Sequence, residues 1–384
     1  MSKKIFTGWK DKVLFTPGPL TTSRTVKQAM LRDLGSRDYE FIELVKEVRN
    51  RLLAIGNVQK GEYETILMQG SGTFGLESVV ASTIPRGGKL LVIINGAYGR
   101  RIAQMAFRMG IETVTLEYPE NVAPHPEDVA ELLEKDKYIT NVSVVHCETT
   151  TGIINPIEEI GKVVKAENRI YFVDAITTFG AIPIDLKALD IDYTVAAPNK
   201  CLEGVPGFSI IIAKKEELIK TEGYSRSLSL DLLAQWNGLE IDGQFRFTPP
   251  IHAVLALWQA LDELDDEGGV EGRAKRYKAN CETLIHGMRK MGFREYLFPN
   301  LRGYIITSYL HHDHPNYSFD KFYKLLSDKD QIIYPGKLST WDGFRIGTIG
   351  RIFPSDIKTL LASIQESLFE MGVITKAKIF SEYS

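Results

Sequence analysis

The chain reads as an α/β protein. A large domain built on a mostly parallel, seven-stranded sheet flanked by helices precedes a smaller α+β domain. Three observations predict this. Between about residues 62 and 215, seven short apolar runs alternate with helical patterns. Those runs are apolar without alternation, as strands covered on both faces are. Past about residue 255 the pattern changes to long helices with two or three strands among them. A length of 384 residues suits about two domains of roughly 100–200 residues each. The expected division is 16–255 and 256–384, with residues 1–15 packing near the second part.

In chain order, Glu64–Gln69 reads as the first strand, and Gly75–Ser82 as a helix stopped near Pro85. Leu90–Ile94 is a strand, Gly99–Met109 a helix ending at Gly110, and Glu112–Leu116 a strand. Pro126–Glu134 is a helix with acidic residues in its first turn. Val142–His146, Ile170–Asp174, Tyr193–Ala197 and Ser209–Ala213 complete the strands. Then come a helix over Ile251–Glu263, a polar break at Asp265–Gly269, and a long helix over about Gly272–Met291. Strands are expected around Ile305–Tyr309, Ile332–Tyr334 and Gly343–Gly347, and a last helix over about Pro354–Met371. No internal repeat or low-complexity tract interrupts this order.

The composition excludes several classes. The hydrophobic share is 44% and the charged share 25%, which excludes disordered and collagen-like chains. A net charge of −3 argues against a nucleic-acid or anionic-membrane binder. Cys147, Cys201 and Cys281 form no CxxC pair, so neither a disulfide framework nor a zinc site is expected. The N-terminus has no apolar core of signal-peptide length, and no run approaches the roughly 18 apolar residues that span a bilayer. A cytoplasmic location is the expectation.

Three constellations could carry chemistry, all at carboxyl ends of predicted strands, where α/β sheets bind ligands. Gly70-Ser-Gly-Thr-Phe-Gly lies between a strand and a helix. Its glycines permit a tight turn, and the helix start offers free N–H groups that suit a phosphate. A tight turn with a helix cap reads equally well. Asp174 ends a very apolar strand, where a carboxylate needs a cation or ring N–H as partner, unless it caps a helix. Lys200 lies in the constrained segment Ala196-Ala-Pro-Asn-Lys-Cys-Leu-Glu-Gly-Val-Pro-Gly. Desolvated there, it would become nucleophilic toward carbonyls; pointing outward, it would be an ordinary surface lysine. Taken together, a phosphate cradle, a buried acid and a loop lysine match the needs of pyridoxal 5'-phosphate. The turn holds the phosphate, the acid keeps the ring nitrogen protonated, and the lysine holds the aldehyde.

The order Gly70-Ser-Gly-Thr, Glu148-Thr-Thr-Thr-Gly, Val173-Asp-Ala, Asn199-Lys, Arg345 resembles the class V aminotransferases of fold type I. The resemblance spans about residues 12–370. Further matching segments are Phe15-Thr-Pro-Gly-Pro-Leu, Arg37-Asp-Tyr-Glu-Phe, Asn95-Gly-Ala-Tyr-Gly and Tyr334-Pro-Gly-Lys. Lys200-Cys-Leu-Glu-Gly-Val-Pro-Gly and Ser225-Arg-Ser-Leu-Ser-Leu-Asp-Leu are similar to a branch that moves an amino group from 2-aminoethylphosphonate to pyruvate. The resemblance implies that Lys200 carries the cofactor and Asp174 pairs with its ring nitrogen. It implies that Ser71, Gly72 and Thr73 hold the phosphate with Asn199 beside them, and that Thr248 reaches it from a neighbouring subunit. Tyr98 would stack on the ring, Ile176 would pack on the opposite face, and Thr149 would meet the 3-hydroxyl. Arg345 would bind the substrate anion, with Arg37 and Arg246 as candidates for the extra phosphonate charge. A homodimer is implied.

Alternatives remain at this stage. One is another class V aminotransferase, taking alanine or serine with glyoxylate or pyruvate. Others are a pyridoxal-phosphate lyase or desulfurase, which would want a mobile-loop cysteine, and a cofactor-free binding protein. Other features receive plainer readings. His311-His-Asp-His is expected to be a solvated loop, His146 a satisfied strand histidine, and Cys201 a small buried residue. The basic stretch Arg273-Ala-Lys-Arg-Tyr-Lys is expected to be a solvated helix face.

Overall fold

The computed structural model describes residues 11–336 and 341–375. Lys337 of the Tyr334-Pro-Gly-Lys segment, and the ends of the expected domains at 1–10 and 376–384, lie outside the described residues. The seven apolar runs become β1 (Tyr63–Gln69), β2 (Lys89–Ile94), β3 (Glu112–Glu117), β4 (Ile139–Val145), β5 (Ile170–Asp174), β6 (Tyr193–Ala196) and β7 (Phe208–Lys214). They form one sheet in the order β1-β7-β6-β5-β4-β2-β3. Strand β7 runs antiparallel to both its neighbours, and the remaining pairs are parallel. The interior strands are buried along nearly their whole length. At the edge, β3 keeps Glu112, Thr115 and Glu117 toward solvent, which discourages pairing with another chain.

Helices cover the sheet: α1 (Tyr39–Ile55), α2 (Gly72–Thr83), α3 (Ala97–Arg108), α4 (Pro126–Lys135), α5 (Ile157–Ala166), α6 (Leu232–Ile241) and α7 (Ile251–Asp266). Helix α2 starts at Gly72, three residues before the predicted start, so the Ser71–Thr73 turn is itself the first helical turn. Helices α1, α5 and α6 had no counterpart in the predicted pattern. Phe41, Val45, Val48 and Leu52 of α1 share one core with the sheet and with Leu257, Leu261 and Leu264 of α7.

A second core joins Phe15 to residues from Leu284 to Val373. It is built by α8 (Gly269–Lys290), α9 (Phe319–Asp328), α10 (Pro354–Glu370) and an antiparallel sheet of β8 (Ile306–Leu310), β9 (Tyr334–Pro335) and β10 (Gly343–Gly347), in the order β8-β10-β9. The predicted polar break before α8 shrinks to Glu267–Gly268, with Gly268 at φ +93°. The strand expected at 332–334 divides in two. Gln331–Ile332 pairs in parallel with Val13–Leu14, and Tyr334–Pro335 joins β10.

One expectation is overturned here. The Arg273–Lys278 stretch is not a solvated face: Arg273 and Tyr277 are fully buried, Arg276 nearly so, and only Lys275 and Lys278 reach solvent. Two acids, buried Glu203 and partly buried Glu267, explain it. Glu267 accepts from Arg273 Nε (3.0 Å) and Arg276 Nε (2.5 Å), and Glu203 accepts from Arg276 Nη2 (2.7 Å). The His311–His314 loop is likewise less solvated than expected. His311 packs on Phe319 and Phe344, and His312 on Phe293.

Candidate active site

A cavity of about 200 Å³ opens at the carboxyl ends of β4, β5 and β6. The fold brings nine of the residues singled out in the sequence to its wall: Ser71, Gly72, Thr73, Tyr98, Thr149, Asp174, Ile176, Asn199 and Lys200. They arrive on different turns of the fold. Ser71–Thr73 open α2, Tyr98 sits in the first turn of α3, Thr149 follows β4, Asp174 closes β5, and Asn199–Lys200 follow β6.

The lysine loop is held from below. Cys201 is buried, its Sγ donates to Thr177 O (3.2 Å), and its carbonyl accepts from Arg273 Nη1 (2.9 Å). Glu203 sits at φ +60° and also accepts from Tyr277 Oη (2.5 Å). Above this clamp, Lys200 Nζ points at the Phe15–Leu20 segment and donates to Pro17 O (2.7 Å). A Cβ on Gly18 would lie 2.6 Å from Nζ, so only glycine (φ +125°) lets the backbone pass there. Burial pushes the Lys200 amine down to about 8, against the pull of Cys201 and Asp174. A useful fraction is therefore uncharged near neutrality.

Asp174 is buried and pairs with Val145 and Val195 in the ladder. Burial pushes its carboxyl up to about 7; the Ile176 N–H (3.0 Å to Oδ1) opposes this, and Glu148 adds to it. No ion pair reaches it among the described residues. His146 is the satisfied histidine expected: its Nδ1 meets Thr178 Oγ1 (2.9 Å), and burial drops it to about 4. Burial pushes the Cys147 thiol up to about 12, which leaves it a poor nucleophile.

Two helix starts face the cavity and are treated differently. At α2, Ser71 makes no side-chain cap, so the first N–H groups are left for a ligand. A Cβ on Gly72 would come within 2.7 Å of Ile176 Cδ1, so a side chain there would have to push Ile176 aside. At α3 the N–H groups are taken by the protein itself. Buried Glu148 accepts from Tyr98 N (3.2 Å), Gly99 N (3.1 Å) and Thr150 Oγ1 (2.6 Å), while Ala97 N donates to Thr150 Oγ1 (2.9 Å). Glu148 thereby fixes Tyr98.

Arg345 lies on β10, fully buried, next to this turn. Its Nη1 donates to Thr149 O (2.6 Å), its Nη2 to Pro335 O (3.0 Å), and it stacks 4.8 Å from the Tyr334 ring. Its Nε, also buried, finds no acceptor among the described residues. Arg345 is not among the residues lining the cavity; it lies behind Thr149, which is.

Arg37, Arg246 and Thr248 do not reach the cavity within one chain. They line a separate surface depression, where Arg246 Nη1 donates to Leu228 O (2.9 Å) and stacks 5.2 Å from Phe247. Conversely, the cavity wall includes Arg101, Cys147 and Thr177, which the sequence reading did not select. Arg101 had a usable signal: it stands one helical turn after Tyr98 and stacks on its ring at 4.8 Å.

The donor set fits pyridoxal phosphate. An open helix start with a glycine cradle suits its phosphate, an acid without a cation suits its ring N–H, and a lysine of lowered pKa suits its aldehyde. Comparison with known proteins agrees. The aminotransferase class-V family model matches residues 21–333. A 2-aminoethylphosphonate–pyruvate transaminase of Syntrophobacter fumaroxidans is 46% identical over 361 residues, covering 94% of this chain and 97% of that protein. One from Bacillus mycoides is 46% identical over 357 residues, covering 93% and 98%. The crystal structure of pyridoxamine–pyruvate aminotransferase from Mesorhizobium loti superposes with a TM-score of 0.86 at 24% identity, covering 96% of this chain and 94% of that one. The chain is therefore a member of the class V aminotransferase family, the pyridoxal-phosphate enzymes its cavity was built to serve.

Proposed function

We propose that the protein transfers the amino group of 2-aminoethylphosphonate to pyruvate, giving phosphonoacetaldehyde and L-alanine. The observation that carries the chemistry is the meeting of Lys200, Asp174 and the Ser71–Thr73 turn in one cavity. The choice of substrate rests on likeness to transaminases of that name along nearly the whole chain.

When bound, pyridoxal phosphate supplies an electron-poor ring that stabilises negative charge on the substrate carbon next to nitrogen. The chain's own residues supply the rest. Ser71, Gly72 and Thr73 anchor the phosphate, with Asn199 beside them. Asp174 holds a proton on the ring nitrogen, where the buried carboxylate gains the cation it lacks. Tyr98 and Ile176 clamp the ring between them, and Thr149 meets its 3-hydroxyl. Lys200 Nζ, partly uncharged near neutrality, takes the proton from the carbon that bears the amine. Positioned proton transfer of this kind is worth about 10²–10⁴-fold. Arg345 receives the phosphonate in one half-reaction and the carboxylate in the other, through its unmatched Nε–H.

Thr248, Arg37 and Arg246 enter this reading through a homodimer in which their depression faces the partner's cavity. Exposed rings support such an interface. Phe74 is half exposed in the first turn of α2, and Phe247 stands exposed beside Thr248. Division into two domains near residue 255 and a cytoplasmic location belong to the same proposal. No helix among the described residues is long and apolar enough to cross a membrane.

A coupled assay with 2-aminoethylphosphonate and pyruvate, following aldehyde formation, tests the reading. Turnover far above that with alanine or serine as donor supports it. Preference for either of those donors with glyoxylate assigns the protein to a different transamination.

A further inference from the structure

We propose that Arg101 is an anion-binding cation of this cavity and that its ligand is the phosphonate group of the amino donor. The inference deepens the functional reading above and rests on it. Arg101 lines the same cavity as Lys200 and Asp174 and lies 4.8 Å from the Tyr98 ring. Arg345 stacks instead on Tyr334 and donates to the carbonyl of Thr149, another residue of the cavity wall. The two arginines that open α3 are used differently. Arg100 points outward to Glu117 (3.2 Å), while Arg101 has no ion pair among the described residues. A half-buried cation that no carboxylate among the described residues neutralises is available to an external anion. Its charge is felt at the reacting groups, where it pulls both the Asp174 carboxyl and the Lys200 amine downward.

The two substrates differ in what they ask of such a site. Pyruvate offers a planar carboxylate with one charge, which a single guanidinium satisfies. A phosphonate offers three oxygens in a tetrahedron and more than one charge near neutrality. One contact with Arg345 leaves oxygens and part of that charge unmet. A second guanidinium on the Tyr98 wall meets both. The cofactor's phosphate has the same chemistry, but the open start of α2 already provides donors for it.

The test uses the cofactor-loaded protein and the substitutions Arg101→Gln and Arg101→Lys. Three quantities are read: KM for each substrate, dissociation constants for the unreactive pair ethylphosphonate and propionate, and cofactor affinity by absorbance titration. For Arg101→Gln, KM for 2-aminoethylphosphonate and the ethylphosphonate constant should rise at least about tenfold, the size of one charge-assisted hydrogen bond, and the pyruvate, propionate and cofactor values less than about threefold. Arg101→Lys should restore part of the loss. Unchanged phosphonate constants overturn the proposal. So does an equal loss for carboxylates, or a loss confined to cofactor affinity, which would assign Arg101 to the cofactor phosphate. If the wild-type protein fails to turn over 2-aminoethylphosphonate, the functional reading falls. Ethylphosphonate binding to wild type and Arg101→Gln then still decides the role of Arg101.

Discussion

The starts of α2 and α3 face one cavity from two sides, and their chemistry is opposite. At α2 the sequence places glycine and small hydroxyls, makes no side-chain cap and leaves the helix donors open. At α3 a buried carboxylate, Glu148, occupies the same kind of position and accepts the donors itself. Both exploit the partial positive charge of a helix N-terminus. One holds it in reserve for a guest; the other spends it on fixing Tyr98. The difference teaches that a helix start near a cavity is not by itself a binding site. What decides is whether the chain has already supplied the anion.

The comparison breaks outright if the shared cavity is not where the reaction happens. Lys200→Ala should lose turnover by at least about 10²–10⁴-fold, along with the visible absorption of the loaded protein; wild-type kcat in a yellow variant would end the assignment. Next in size, Glu148→Ala strands buried N–H groups at α3 and should destabilise the fold by about 2–4 kcal/mol in denaturant titrations. An unchanged unfolding midpoint would mean that water caps α3 equally well. Gly72→Ala sharpens the other side, because its Cβ would press on Ile176. It should weaken cofactor binding about tenfold with little effect on the fold, and equal loss of both would make the cradle merely structural.

A further effect concerns pH in the cofactor-free protein. The Asp174 carboxyl is pushed up to about 7 by burial. Between roughly pH 4 and 7 the native state then keeps a proton that the unfolded chain has lost, so stability falls as pH rises through that window. Asp174→Asn should abolish that slope. The Lys200 amine is pushed down to about 8, so its own contribution has the opposite sign and rises from pH 8 toward 10.5. A variant whose melting profile matches wild type from pH 4 to 7 would show Asp174 to be charged before any guest arrives.

Much of this was legible in the sequence, for identifiable reasons. Strands buried on both faces print as nearly unbroken apolar runs, which made the interior strands of the large sheet stand out; the edge strand β3 showed only through its Val114 and Leu116. Lys200 and Asp174 could be read because their types are conspicuous beside such runs. Helix α6, Leu232–Ile241, was not legible, since its apolar residues surround it and leave no stripe. Helix α1 did carry the signal, with Phe41, Val45, Val48 and Leu52 at helical spacing. The Arg273–Lys278 stretch misled because charge on a helix ordinarily means solvent, and its partner acids Glu203 and Glu267 are distant or unremarkable in sequence. Arg101 was passed over beside Arg100, which does point outward to Glu117.

The clamp beneath Lys200 has a consequence for heat. The reactive amine belongs to the large sheet, yet Arg273 and Arg276, which steady its loop, are carried by a helix whose far end is packed into the smaller core. Warming that melts the smaller core first would release the loop while the sheet is still intact. If the smaller core melts first, activity is lost before the large sheet unfolds.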